Sequence, residues 1–178
     1  MFAQGSYIVY RNLGVCRVEK IGRPEGIAMD RNVEYYTLRP LRGDGVIYVP
    51  VDSKGRMRLV MSRPEADALL HSLPSLKAEV CRSRDRRVLQ ECYNASLQSQ
   101  SGEELLRLIK SITIKEKMLA DKGKKLGMID TNSRRQAQEL IYGELSCVLG
   151  IPYENVEGVV RSAAGAASDR PGQEKQGA

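Results

Sequence analysis

The chain has 178 residues, 42% of them apolar and 28% charged, with a formal net charge of +6. That is enough for one ordinary domain or two small ones with a buried core. With eight Tyr, one Phe, no Trp and a single His, the composition excludes a multi-aromatic stacking platform, and the positive charge suits an acidic partner such as nucleic acid while serving equally as a solubility device.

From residue 6 to residue 61 apolar residues recur with a spacing close to two, in short runs parted by turn residues. SYIVY, VCRVEKI, VEYYTL, VIYVPV and MRLVM read as five strands. They are divided by N-L-G, by residues 22–32, by R-G-D-G and by D-S-K-G-R. Five short strands in so short a segment are too few for a large sandwich, and they predict a small SH3-like or Tudor-like barrel. The fold class expected is therefore α+β, with this five-stranded barrel over residues 1–61 and helices after it.

The pattern changes at Ser62. In S-R-P-E the Ser is a helix N-cap, Pro64 sits in the first turn where its missing N–H costs nothing, and Glu65 completes a capping box. Ala66, Leu69, Leu70 and Leu73 form the apolar stripe of this helix and Pro74 closes it. Beyond Pro74 the spacing reads as helical to about residue 163. One helix is expected over 83–99 and another after Ser101-Gly102, with Leu105, Leu108, Ile109 and Ile112 on one side. K-G-K-K-L-G at 122–127 is a basic break. Asp130 is expected to cap the next helix, which Gly150-Ile151-Pro152 ends, and Y-E-N-V-E-G-V-V forms a last short one. The helical part is thus read as 62–163, with a disordered tail over 164–178, where little remains to bury.

Signals for chemistry are few. His71 lies beside Leu69, Leu70 and Leu73 with no nucleophile announced near it, and no catalytic residue is assigned. Gly43-Asp44-Gly45 lacks phosphate-loop spacing and is hairpin chemistry. Glu103 and Glu104 suit the first turn of a helix. Cys16, Cys81, Cys92 and Cys147 are scattered without a C-x-x-C pair, so neither a metal site nor a disulfide framework is indicated and no cofactor is expected. No residues read as a signal peptide or as a membrane span, so the expected setting is cytoplasmic, with no membrane partner. An enzyme is not expected.

Charge is the more informative signal. Residues 107–135 hold nine Lys or Arg against three Asp or Glu, and Arg82, Arg84, Arg86 and Arg87 add a basic start to the preceding helix. Clustered cations on helices neutralise phosphates without reading bases, or merely solvate a helix face. Arg86, Arg87, Lys124, Lys125, Arg134 and Arg135 are the DNA-contact candidates on this ground.

Several stretches in order resemble the CarD family of bacterial transcription regulators. They are F-x-x-G-S-Y-I-V-Y-x-N-L-G-V-C-R-V-E-K-I from residue 2, E-Y-Y-T-L from 34, V-I-Y-V-P-V-D from 46 and M-R-L-V-M-S-R-P-E-A-D-A-L-L from 57. S-G-E from 101 and I-Y-G-E-L from 141 follow. The amino-terminal module of that family is shared with the RNA-polymerase-interacting domain of transcription-repair coupling factors. The resemblance implies a barrel that docks on the RNA polymerase β-subunit lobe, and helices that touch promoter DNA, sequence-independently, at the edge of the opening bubble. The protein would be nucleoid-associated during transcription. By the same resemblance Val46, Ile47, Tyr48 and Val49 are the partner-facing strand, with Arg23 in the preceding loop; the family often has a basic residue in place of Tyr48. Members that grip the bubble usually carry a Trp fourteen residues before the S-G glycine, and that count lands on Val88, with Tyr93 as the aromatic in a shifted register. The reading that follows is a regulator of open-complex stability; the alternative is a protein-interaction adapter whose helices scaffold or recruit without binding DNA.

Overall fold

In the computed structural model, residues 1–24, 32–53 and 57–165 are described. Five strands come first: β1 Tyr7–Tyr10, β2 Gly14–Gly22, β3 Tyr35–Pro40, β4 Ile47–Pro50 and β5 Met57–Leu59. Five helices follow: α1 Arg63–Ser72, α2 Arg86–Gln98, α3 Gly102–Ala120, α4 Met128–Leu149 and α5 Tyr153–Gly165. The α+β class stands. Of the expected tail, residues 164 and 165 belong to α5, and the remainder lies outside the described residues.

The strands make one antiparallel sheet in the order β4-β3-β2-β1-β5. It is not closed into the expected barrel: among the described residues no ladder joins β4 to β5. The reason lies in the two end strands. β4 stops at Pro50, which has no N–H to offer a further ladder. β5 is only three residues long, and the chain leaves it at once for the cap of α1, so it pairs along β1 alone.

Alternation along the strands sorts the side chains onto two faces. Ile8, Cys16, Val18, Tyr36, Leu38 and Val49 are buried together as the sheet's own core. Phe2 covers its end, donating its backbone N–H to the Tyr36 hydroxyl at 2.9 Å with the two rings 5.8 Å apart. On the opposite face Val9 pairs with Val15, and both are buried. Val15 and Gly14 lie there against Leu140 of α4.

Helix starts follow the local chemistry. Ser62 and Glu65 form the capping box of α1, with Ser62 N donating to Glu65 Oε2 at 2.6 Å. The bonds from Ser62 hold the Glu65 carboxyl below the usual range. Ser101 caps α3, and Gly150, in a left-handed conformation at φ 67°, ends α4. Two expectations fail. Residues 76–85 are neither helix nor strand, since their carbonyls are taken by side chains of α3: Lys110 Nζ donates to Leu76 O at 2.7 Å and Ser111 Oγ to Glu79 O at 2.5 Å. Asp130 is not a cap either. α4 begins two residues earlier after Gly127, and Asp130 is a buried acceptor.

Sheet and helices are joined by a charged clamp. Arg58 on β5 grips Glu144 of α4 with two parallel bonds, Nη1 to Oε1 at 2.6 Å and Nη2 to Oε2 at 2.7 Å. Met61 N donates to the same Oε1 at 2.8 Å, and Arg58 Nε donates to Gln100 O at 2.9 Å. Glu144 is only 1% exposed. A second link is the Arg42 guanidinium, 3.5 Å from the centroid of the Tyr153 ring in α5. That contact gives the turn arginine a structural role.

Beside the clamp the elements approach closely at Gly102. A Cβ there would lie 3.0 Å from both Ile141 Cδ1 and Leu69 Cδ2, and 3.1 Å from Met61 Cε. Three side chains packed around one point cannot all retreat. Gly102→Val is therefore expected to cost about 1–3 kcal/mol by overpacking, seen as a lower urea midpoint with an unchanged m-value; an unaltered midpoint would refute the close packing.

Candidate polymerase and nucleic-acid surfaces

The sheet presents an open groove of about 980 Å³, lined in part by Arg17, Lys20, Arg23, Thr37, Val46 and Tyr48. Strand pairing builds it. Lys20 of β2 lies opposite Thr37 of β3, and Thr37 opposite Tyr48 of β4, so the three form a row that ends at the free edge of the sheet. The register of β2 slips between Val18 and Lys20, which adds a residue on that strand and turns Lys20 into the row.

Charge in this groove is one-sided. Glu19 is the one acidic residue among its described lining, and Arg39 holds it: Nε donates to Glu19 Oε1 at 2.6 Å. That hydrogen bond, more than any other influence, keeps the Glu19 carboxyl below the usual range. Arg17, Lys20 and Arg23 thus face outward with the local carboxylate already neutralised. Such a surface favours an acidic partner, and a free strand edge beside it can extend a partner's sheet.

The four residues expected on the partner-facing strand divide by this alternation. Val46 and Tyr48 line the groove with Arg23. Ile47 and Val49 turn the other way, Val49 to 3% exposure in the sheet core with Ile47 packed against it. Val49 can meet a partner only through the backbone, while Ile47 keeps a partly exposed side chain. The set was carried over whole from the family's partner-facing strand, whereas the two-residue period sends neighbours to opposite faces. The same period could have drawn attention to Arg17, between buried Cys16 and Val18, whereas Lys20 depends on a bulge that no local pattern announces.

The helical candidates are likewise placed unequally. Arg86, Arg87 and Val88 occupy the first turn of α2, after the cap Asp85, whose Oδ1 accepts from Arg87 N at 2.8 Å. All three are exposed, Val88 by 48%. Cations in a first turn oppose the helix dipole, and a phosphate placed there would offset that repulsion. Lys124 and Lys125 are exposed in the turn between α3 and α4, and Arg135 is exposed on α4. Arg134 is committed elsewhere: Nη1 donates to Glu116 Oε2 at 2.6 Å, which keeps the Glu116 carboxyl low.

Tyr93 is a correction. It is 1% exposed, and its hydroxyl donates to Asp130 Oδ1 at 2.6 Å, while Lys115 Nζ donates to the same oxygen at 2.7 Å. Burial and the carboxylate beside it push the Tyr93 hydroxyl far up from its ordinary value. A ring held inside the junction of α2, α3 and α4 is not available to stack on a base. The junction does bring α2 against the start of α4, just after the basic turn.

Residues 2–61 match a family model described as the CarD-like/TRCF RID domain. The sheet region of this chain is thus similar to a CarD-like domain. The match ends at Met61, one residue before the cap of α1, and so covers all five strands and both halves of the cationic groove. A CarD-like/TRCF RID domain is a module of RNA polymerase interaction in transcription. No curated protein matches the chain. Among the described residues, no helix is long and apolar enough to cross a membrane.

The Tyr93 assignment is open to a direct check. Tyr93→Phe removes one hydrogen bond to a carboxylate and should cost about 1.5–3 kcal/mol, read from urea unfolding. Unchanged stability would mean that the hydroxyl is not bound to Asp130 in solution.

Proposed function

We propose that the protein is a non-enzymatic transcription regulator. Its CarD-like domain docks on the β-subunit lobe of RNA polymerase, and its basic helices contact promoter DNA without reading sequence. The observation that carries the first half is the cationic groove ending at the free β4 edge, within the residues that match the domain family. The row Lys20, Thr37, Tyr48 supplies side chains for an acidic partner, and the edge supplies backbone donors and acceptors for an added strand. Pro50 limits how far that addition can run.

For the DNA half, the exposed first turn of α2 and the Lys124-Lys125 turn provide charge without hydrogen-bonding codes for bases, which supports phosphate contact and a strong salt dependence. Val88 is an exposed apolar side chain beside two arginines. It can press against sugars or a base step, yet it cannot stack as an indole does. The proposed effect on transcription is an altered lifetime of the open complex, exerted in the cytoplasm at the nucleoid.

A second reading has an observation of its own. Tyr93 and Tyr142 are buried and Tyr153 lies under Arg42, so no helical tyrosine is free to serve as an aromatic wedge. On that reading the helices scaffold or recruit and do not bind DNA.

One set of measurements separates the two. The full chain should bind the isolated β lobe; Tyr48→Ala should weaken that binding by about tenfold or more and leave DNA binding alone. Lys124→Glu with Lys125→Glu should spare the lobe and lower the slope of log affinity for duplex DNA against log salt by about 2. DNA affinity that ignores both salt and these lysines favours the scaffold reading. Failure of every form to bind the lobe overturns the polymerase assignment.

A further inference from the structure

We propose that Cys81 and Cys92 are a redox-responsive pair that closes to an intramolecular disulfide under a two-electron oxidant such as hydrogen peroxide, stapling residues 76–85 onto α2. The two thiols line one cavity of about 330 Å³, together with Lys77, Glu79, Tyr93 and Ser111. Burial first, and then the neighbouring Cys81, holds the Cys92 proton on. Sequence spacing gave no hint of the pair, because Cys81 sits on an irregular segment that only the contacts to α3 fold back against α2.

Surroundings set this pair apart from the other two cysteines. Cys16 is fully buried in the sheet core, and burial pushes its thiol up to about 11. Cys147 lines a different cavity with no second cysteine among its described lining, and burial raises it as well. Cys92 is exposed, so a small oxidant reaches it from solvent. Where thiols are kept reduced, a disulfide is usually transient and sensing.

The chemistry balances in two steps. One thiolate attacks a peroxide oxygen; the S–O bond forms, the O–O bond breaks, and hydroxide leaves to be protonated to water. The second thiolate then attacks the sulfenic sulfur, forming S–S and expelling a second hydroxide, which again becomes water. Two thiols lose two protons and two electrons, and the peroxide is reduced to two waters.

The consequence is mechanical. Residues 76–85 are fastened by the Lys110 and Ser111 bonds and by partial burial of Cys81, all of which a local opening can release. A covalent link to α2 removes that opening. The inference does not depend on whether the helices bind DNA.

The test uses the full chain, reduced and then treated with hydrogen peroxide, with peptide mapping by mass spectrometry under non-reducing conditions. The expected product joins the Cys81 and Cys92 peptides with the loss of two hydrogens, forms at a rate independent of protein concentration, and reverts with dithiothreitol. Cys81→Ser should abolish it and leave Cys16 and Cys147 unoxidised; Cys81→Ala serves if the serine variant does not fold. Tryptic cleavage after Arg82 and Arg84 should slow by about tenfold on oxidation. Separate sulfinic acids at the two positions, a link between chains, or unchanged cleavage would each overturn the proposal.

Discussion

Glu144 is a charge that this molecule cannot leave alone. It is buried in the last third of α4 and is satisfied because β5 and the residues just after it bring the Arg58 fork and the Met61 amide to its two oxygens. Breaking a buried pair from one side costs about 3–5 kcal/mol, while an apolar pair of equal volume would be no less stable. What the ion pair adds is direction: two parallel bonds and a backbone amide fix β5 against α4 at one orientation. Gly102 lets the elements close around that point, and Arg42 over Tyr153 fastens the far side.

In the function proposed above, that constraint is what would make two surfaces into an adapter. The cationic groove lies on the sheet and the basic turns lie on the helices. If the joint pivoted freely, binding at one surface would say nothing about the position of the other. Held by the clamp, a module seated on a large partner presents its basic helices at a set place, and weak phosphate contacts then act at high effective concentration. Sequence-independent contacts suffice under such conditions, because position comes from the protein side.

Local features were legible in the sequence, and non-local ones were not. The period of two marked all five strands, and Ser62, Pro64 and Glu65 announced α1 because a capping box is written in four consecutive residues. Closure of the barrel was misjudged, since it depends on where the chain goes after Leu59, and that is decided by a carboxylate 86 positions from Arg58. Asp130 looked like a cap because its residue type is one; its partners Tyr93 and Lys115 lie on other helices. Residues 76–85 carried apolar spacing that passed for a helix, while their carbonyls were destined for Lys110 and Ser111. At the candidate surfaces, charge clustering found exposed cations but could not tell Arg135 from Arg134, whose guanidinium Glu116 holds.

Held by the clamp, sheet and helices should open as one cooperative unit. Native-state hydrogen exchange at rising denaturant, comparing amides of β2 with those of α3 and α4, tests it most directly. Both sets should converge on one global opening free energy, and in Glu144→Ala the sheet amides should open separately from the helical ones. Two distinct opening energies already present in the unaltered protein would contradict it.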